Sequence, residues 1–198
     1  MAKKATNKPA EVLAVPAGYV PTLKKVYKEE IVEKLMKQFS YTTVMQVPKL
    51  VKITLNEGVG DATQDKKIVE EAAEELSLIT GQKAVITTST KDVSNFKLRK
   101  GMAVGACVTL RRGAMYNFLY RLVNIVLPRV RDFRGISPKS FDGVGNYNVG
   151  VPDVSVFTEI DTDKLKYPLG INITMVTSAK DDESARELLK MMEVPFEE

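Results

Sequence analysis

The sequence predicts an α+β, two-layer domain: a mostly antiparallel sheet with helices packed on one face and a long basic hairpin loop projecting from it. Three observations predict it. Four segments carry apolar residues at helical spacing. Other segments carry β-branched and apolar residues in strand-like runs. The two kinds are interleaved without the regular strand–helix–strand spacing of a parallel sheet. With 198 residues, 44% of them hydrophobic, the chain has apolar material for one sizeable core and too little length for two ordinary domains. The expected organisation is a flexible N-terminal tail over residues 1–20 and a single domain over residues 21–198.

In chain order, Pro21–Phe39 is the first helix. Leu23, Val26, Tyr27, Ile31, Leu35 and Phe39 recur on one face, the other face is Lys/Glu, and Pro21 suits a first turn. Gln46–Lys49 breaks that pattern, and Leu50–Asn56 alternates apolar with polar residues as a half-buried strand does. Gly58-Val59-Gly60 is a tight turn. Lys66–Thr80 is the second helix, with Gly81 as the residue just past its end. Ala84–Thr88 and Met102/Ala103–Arg111 are strands joined by the polar, basic stretch Ser89–Gly101, which makes a long hairpin. Ala114–Leu127 is helical and Pro128 stops it. Residues 129–152 are Gly/Pro/Asn-rich and irregular. Val154–Ile160 and Ile171–Val176 are strands, and Asp182–Met192 is the last helix, opening near Ser178 or Asp181.

Composition excludes several chemistries. There is no histidine, hence no Ser-His-Asp triad, no Cys-His pair and no imidazole base or ligand. One cysteine allows neither an internal disulfide nor a Cys-rich zinc site, which fits a reducing compartment. No stretch approaches the roughly 18 consecutive apolar residues of a membrane span, and Pro16 and Gly18 interrupt any apolar leader. A soluble cytoplasmic protein with no cofactor, no metal and no membrane partner is expected.

The net charge of +4 hides a strong segregation. Residues 1–60 carry +5, residues 61–80 carry −4, residues 81–140 carry +10 and residues 141–198 carry −7. Seven of the eight arginines (Arg99, Arg111, Arg112, Arg121, Arg129, Arg131 and Arg134) fall in a 36-residue window, and the only acids of the wider 81–140 segment are Asp92 and Asp132. The planar guanidinium fork matches phosphate oxygens and stacks on bases, so such a cluster signals nucleic acid.

Other motifs weigh less. Gly58-Val59-Gly60 lacks the third glycine of a dinucleotide loop and is followed by Asp61 and Asp65, which oppose a pyrophosphate. The Asp142–Gly150 stretch is Gly-rich but has no Lys-Ser/Thr after it, so it is no P-loop. Asp161/Asp163 and Asp181/Asp182/Glu183 read as surface charge, Gly105 as a close-packing glycine, and Cys107 as a buried small hydrophobe. Three features carry function. The hairpin tip, Thr88–Gly101, combines Lys/Arg, hydroxyls and one aromatic, Phe96, which serves either hairpin packing or base stacking. Thr109 and Arg111 are two apart at a strand end and so share one face of the sheet. Pro128–Gly135 places Arg129, Arg131 and Arg134 around Phe133.

The stretches LPRVRDFRGISPKSFDGVGNYNVG, NFKLRKGMAVGACVTLRR, ELSLITGQKAVIT and YTTVMQVPKLVKITLNEGVGDA together resemble the bacterial large-subunit ribosomal protein L5 family, from about Tyr27 to Phe196. The resemblance implies a structural, non-catalytic protein that binds 5S rRNA and helps attach it to the central protuberance. It implies further contacts to large-subunit rRNA, to P-site tRNA, to neighbouring large-subunit proteins and, across an intersubunit bridge, to a protein of the small-subunit head. Matched motif by motif, it assigns 5S rRNA binding to Asn56, Gln82, Thr109 and Arg111. The tRNA-facing loop carries Lys91, Ser94, Asn95, Phe96, Lys97, Arg99 and Lys100. Arg112, Arg129, Arg131 and Arg134 are expected to contact other rRNA phosphates. The chain departs from the family pattern at Thr88-Ser89-Thr90, where the loop is usually more basic, at Val144, where arginine is usual, and at its acidic Glu197-Glu198 end. Two other classes share some features: a free-standing RNA chaperone or regulator, and a metal-dependent phosphoryl-transfer enzyme using acidic clusters with the arginines as a phosphate clamp.

Overall fold

The computed structural model describes residues 19–63, 65, 67–161 and 169–197. The expected tail, apart from Tyr19 and Val20, lies outside the described residues, as do Asp163, Lys164 and Lys166. Helix α1 opens as Thr22–Val26, passes through a π turn at Tyr27–Ile31 and continues as Val32–Phe39. The Pro21 carbonyl starts it by accepting the Lys24 and Lys25 N–H groups, and Ser40 ends it in the left-handed conformation. Strand β1 (Leu50–Gly58) is followed by helix α2 (Lys67–Thr80), strand β2 (Val85–Thr88) and strand β3 (Ala103–Leu110). Helix α3 (Arg112–Arg121) extends through a second π turn, Leu122–Val126. Strands β4 (Tyr147–Val151) and β5 (Ile171–Thr177) precede helix α4 (Asp182–Met191).

The five strands form one sheet in the order β2-β3-β1-β5-β4, and every neighbouring pair is antiparallel. Period-2 alternation sends Ile53 and Leu55 of β1, Val108 and Leu110 of β3, and Ile173 and Met175 of β5 to the same buried face. The apolar stripes of all four helices meet that face: Ile31 and Leu35, Leu76 and Ile79, Phe118 and Leu119, Leu188 and Leu189 belong to one core cluster with it. Each such side chain contributes about 1.5–3 kcal/mol by leaving water. The expected α+β, two-layer architecture with helices on one face is therefore observed.

Two expectations are corrected. The stretch 129–152 is not irregular throughout, because it contains β4. Tyr147, Val149 and Val151 point inward, but their partners in alternation are Asn148 and Gly150, poor strand formers that disguise the pattern. Conversely, Val154–Ile160 is not a strand. Asp153 Oδ1 accepts the Ser155 N–H at 2.8 Å, Val154–Val156 closes into a 3₁₀ turn, and Val154 and Phe157 are buried three residues apart instead of two.

Gly105 is a close-packing glycine, as expected. A Cβ added there would lie 2.3 Å from the Glu57 carbonyl oxygen on the neighbouring strand. That atom is backbone, so the β1–β3 ladder itself must shift to admit it. Gly105→Ala is expected to destabilise the protein by about 1–3 kcal/mol, read as a lowered melting temperature by circular dichroism. An unchanged melting temperature contradicts the packing described.

The buried face also carries a carboxyl. Glu57 follows Ile53 and Leu55 inward, is fully buried, and neither of its oxygens has a hydrogen-bond partner among the described residues. Burial, reinforced by Glu75 of α2, pushes its pKa up to about 8. Burial and then Glu71 push Glu75 up to about 7.

Candidate RNA interface on the open face of the sheet

None of the four described helices lies on the opposite face of the sheet, and its rows follow from the register. One row runs Val85, Cys107, Asn56, Asn172 and Gly150 from β2 to β4. The next runs Thr109, Thr54, Thr174 and Asn148. Lys52, opposite Val176, lies in the row beyond. Every strand of this face is described, and none of these positions is Asp or Glu. Charge therefore segregates by face as well as by segment. Strands β4 and β5 belong to the acidic C-terminal third, yet they present only Asn, Thr, Val and Gly here. Five acids, Glu71, Glu74, Glu75, Glu159 and Asp161, instead line a groove beside α2 with Leu78, Thr158 and Ile160.

Asn56 is exposed and Thr109 half-exposed, diagonal neighbours on this face. Arg111 follows β3 in extended conformation, φ −137° and ψ 164°, so the alternation continues and its side chain shares the face of Thr109. Gln82 reaches the same end by another route. Gly81, at φ +67°, turns the chain out of α2, and the Gln82 N–H donates to Thr80 Oγ1 at 3.3 Å, which fixes the backbone and leaves the side chain exposed. Because β2 runs antiparallel to β3, with Val85 opposite Cys107, Gln82 precedes β2 at the Leu110 end of β3. The structure thus places Gln82, Thr109 and Arg111 toward the Leu110 end of β3, with Asn56 diagonal to Thr109 and nearer the middle of the open face. None of the four side chains makes a hydrogen bond to a described residue.

Arg112, the next residue, has φ +53°, a conformation that costs a non-glycine residue of order 1 kcal/mol. Lys97 and Asp132, also in basic loops, are likewise left-handed.

The other basic residues form separate patches. The Ser89–Met102 connection lies at the far end of β3, about 30 Å from Arg111 at ~3.4 Å per residue. It is folded on itself. Ser89 and Met102 are joined by a backbone bond, as are Val93 and Leu98, and Asp92 Oδ1 accepts the Lys100 N–H at 2.6 Å. Asp92 thus clamps the loop. Lys91, Ser94, Asn95, Lys97, Arg99 and Lys100 are all exposed, and Phe96 is 70% exposed, so this ring is not the hairpin's packing residue. Arg129, Arg131 and Arg134 are exposed too, but they follow α3 and so stand about 25 Å from Arg112 at ~1.5 Å per residue. Phe133 packs against the core beneath them, and backbone bonds from Ile136 to Pro195 and from Glu197 to Ile136 tie down the end of that loop.

Three sequence readings change or sharpen here. Arg121 leaves the arginine cluster, because it pairs with Glu159 and donates to the Ile79 carbonyl at 2.8 Å, a structural bond between α2 and α3. Cys107 is not a buried hydrophobe but a half-buried residue of the open face. The Gly-rich loop 142–150 has no amides to offer a phosphate. Asp142 Oδ1 accepts the Val144 and Asn146 N–H groups, and the Asp182 carboxylate accepts those of Gly143 and Gly145. The bonds that Asp142 accepts, that from Asn146 Nδ2 first, hold its carboxyl below the usual range. Among the described residues no group of three or more Cys, Asp or Glu side chains is placed to hold a metal ion. Asn172, exposed in the same row as Asn56, was missed, although its place between Ile171 and Ile173 in alternation marks it as outward-facing.

Comparison with known proteins adds to this geometry. Residues 43–99 match the family described as "Ribosomal protein L5", and residues 103–196 match the C-terminal part of the same ribosomal protein family. The chain is 56% identical over 174 residues to large ribosomal subunit protein uL5 of Geobacter sulfurreducens, covering 88% of this chain and 97% of that protein. It is 53% identical over 178 residues to uL5 of Thermotoga maritima and 54% identical over 178 residues to that of Nocardia farcinica, covering 90% of this chain and 96% and 95% of the relatives.

Proposed function

The chain belongs to the L5 family of large-subunit ribosomal proteins, and from that premise we propose that it binds 5S rRNA through the open face of its sheet and helps attach that RNA to the central protuberance. As a member of this family it is a structural protein of the bacterial ribosome, in the cytoplasm, with ribosomal RNA and proteins as partners and no enzymatic activity.

The observation that carries the finer reading is the grouping of Gln82, Thr109 and Arg111 at one end of the sheet, with Asn56 diagonal to Thr109, on an acid-free face. An amide pair, a hydroxyl and a guanidinium, whose side chains make no hydrogen bond to a described residue, suit the 2′-hydroxyls, base edges and phosphates of RNA. The free-standing chaperone alternative shares the basic patches but predicts no preference for 5S rRNA. Purifying the chain from its cells and sizing the RNA that accompanies it tests the proposal. A 5S-sized species is expected, and RNA of mixed size contradicts it.

The proposal extends to two more contacts. The Ser89–Met102 loop, with Phe96 exposed among Lys97, Arg99 and Lys100, suits P-site tRNA, since a bare aromatic stacks on bases and the cations follow the backbone. Arg112, Arg129, Arg131 and Arg134 suit other rRNA phosphates, and the acidic groove beside α2 suits a basic small-subunit head protein across a bridge. Shortening the loop within 91–100 is expected to leave 5S rRNA affinity within about twofold, because it sits a sheet's length from Arg111, while reducing tRNA crosslinking in assembled ribosomes. Loss of 5S rRNA binding in that variant contradicts the separation of the two sites.

A further inference from the structure

We propose that Asn172 is a second RNA-reading amide, acting with its cross-strand neighbour Asn56 on ribose 2′-hydroxyls in the shallow minor groove of paired RNA. The inference rests on the reading of the open face as the 5S rRNA-binding surface. Asn56 and Asn172 are Cα partners in the β1–β5 ladder, so their side chains rise side by side from the centre of the sheet, their Cα atoms about 5 Å apart. Both are exposed, and neither side chain bonds to a described residue. The contrast in the next row is informative, because there Thr174 Oγ1 donates to Asn148 Oδ1 at 2.6 Å and the two groups satisfy each other.

The neighbours of the pair leave it accessible. On the outer side Asn172 faces Gly150, which has no side chain, and on the inner side Asn56 faces Cys107. The row contains no charged residue. A phosphate only accepts hydrogen bonds and is met best by cations, whereas a 2′-hydroxyl both donates and accepts. Two adjacent amides supply both functions at once. Neutral amides at the middle of the face, with Arg111 at its corner, divide the labour: the corner meets phosphate and the centre meets ribose.

The test titrates the full chain and its Asn172→Ala, Asn172→Asp and Arg111→Ala variants against a 5S rRNA transcript at two salt concentrations. Asn172→Ala is expected to weaken binding roughly 3- to 10-fold, the scale of one neutral hydrogen bond, with the salt slope unchanged because no cation is removed. Asn172→Asp is expected to weaken it further by turning a carboxylate toward the RNA. Transcripts carrying 2′-deoxy substitutions in the paired segments that the protein protects are expected to lose affinity for the wild type and not for Asn172→Ala. A 2′-deoxy penalty equal in both proteins overturns the assignment to ribose. Unaltered binding by Asn172→Ala beside weakened binding by Arg111→Ala overturns the role of Asn172 and leaves the corner site standing. Absence of any 5S rRNA preference in the wild type overturns the underlying reading together with this one.

Discussion

Replacing Arg111 by alanine is expected to weaken 5S rRNA binding by about 1–3 kcal/mol, the range for a specific side-chain contact and up to roughly a hundredfold in affinity. The side chain is exposed at the end of β3, has no ion-pair partner among the described residues, and stands beside Thr109 on a face without acids. Its removal leaves the core untouched, so the circular dichroism spectrum and melting temperature should match the wild type. Arg111→Lys separates charge from geometry. It keeps the cation and hence the salt slope, but it loses the planar fork that grips two oxygens at once. It should fall between wild type and Arg111→Ala. A lysine variant as weak as alanine, with an unchanged salt slope in both, contradicts a phosphate contact at this residue.

Stability is expected to fall as pH rises from about 5 to above 8, and Glu57→Gln is expected to remove most of that fall. In the folded protein burial, reinforced by Glu75, pushes Glu57 up to about 8, and burial, reinforced by Glu71, pushes Glu75 up to about 7. In the unfolded chain both titrate near 4.5, so between the two values the native state holds protons that the unfolded state has released. The native state is therefore favoured fully below about pH 4.5 and loses that advantage as pH climbs through the folded values. For Glu57, with no hydrogen-bond partner for either oxygen among the described residues, the loss is on the order of 3 kcal/mol. Glu57→Gln keeps the volume and stays neutral. Denaturant unfolding should find it close to wild type at about pH 5 and more stable at about pH 8.5. Parallel pH profiles for the two proteins contradict the buried-carboxyl account.

How far the sequence foretold the fold depended on the contrast between each element's apolar and polar faces. Leu23, Ile31 and Leu35, or Leu76 and Ile79, stand out against Lys and Glu, and those helices are where their spacing puts them. Strands β1 and β5 were visible for the same reason. Strand β4 was not, because Asn148 and Gly150 have low strand propensity and pairing with β5 overrides it. The 154–160 stretch misled in the other direction, since β-branched residues also suit a turn once Asp153 caps it. Glu57 lay just beyond the expected end of β1, and a carboxyl in an inward position resembles a strand that has finished. The sites divide in a similar way. Thr109 and Arg111 could be placed on one face from their spacing alone. Asn56 and Gln82 entered through family resemblance, and only the register shows that Asn56 lies diagonal to Thr109 and that Gln82 precedes β2 at the Leu110 end of β3. Arg121 counted as part of a cationic cluster until its partner Glu159, 38 residues away, came into view.

The central claim is that an acid-free sheet face, with Arg111 at its corner, is the surface that selects 5S rRNA. Its most direct test is a competition titration in which the full chain chooses between a 5S rRNA transcript and an unrelated structured RNA of equal length, repeated with Thr109→Glu. Thr109 is half-exposed on the open face, so the substitution places one carboxylate against the RNA without entering the core. A preference for 5S rRNA of at least roughly tenfold is expected in the wild type, and its loss is expected in Thr109→Glu. Equal affinity for the two RNAs, or a Thr109→Glu protein that selects 5S rRNA as well as the wild type, contradicts the claim.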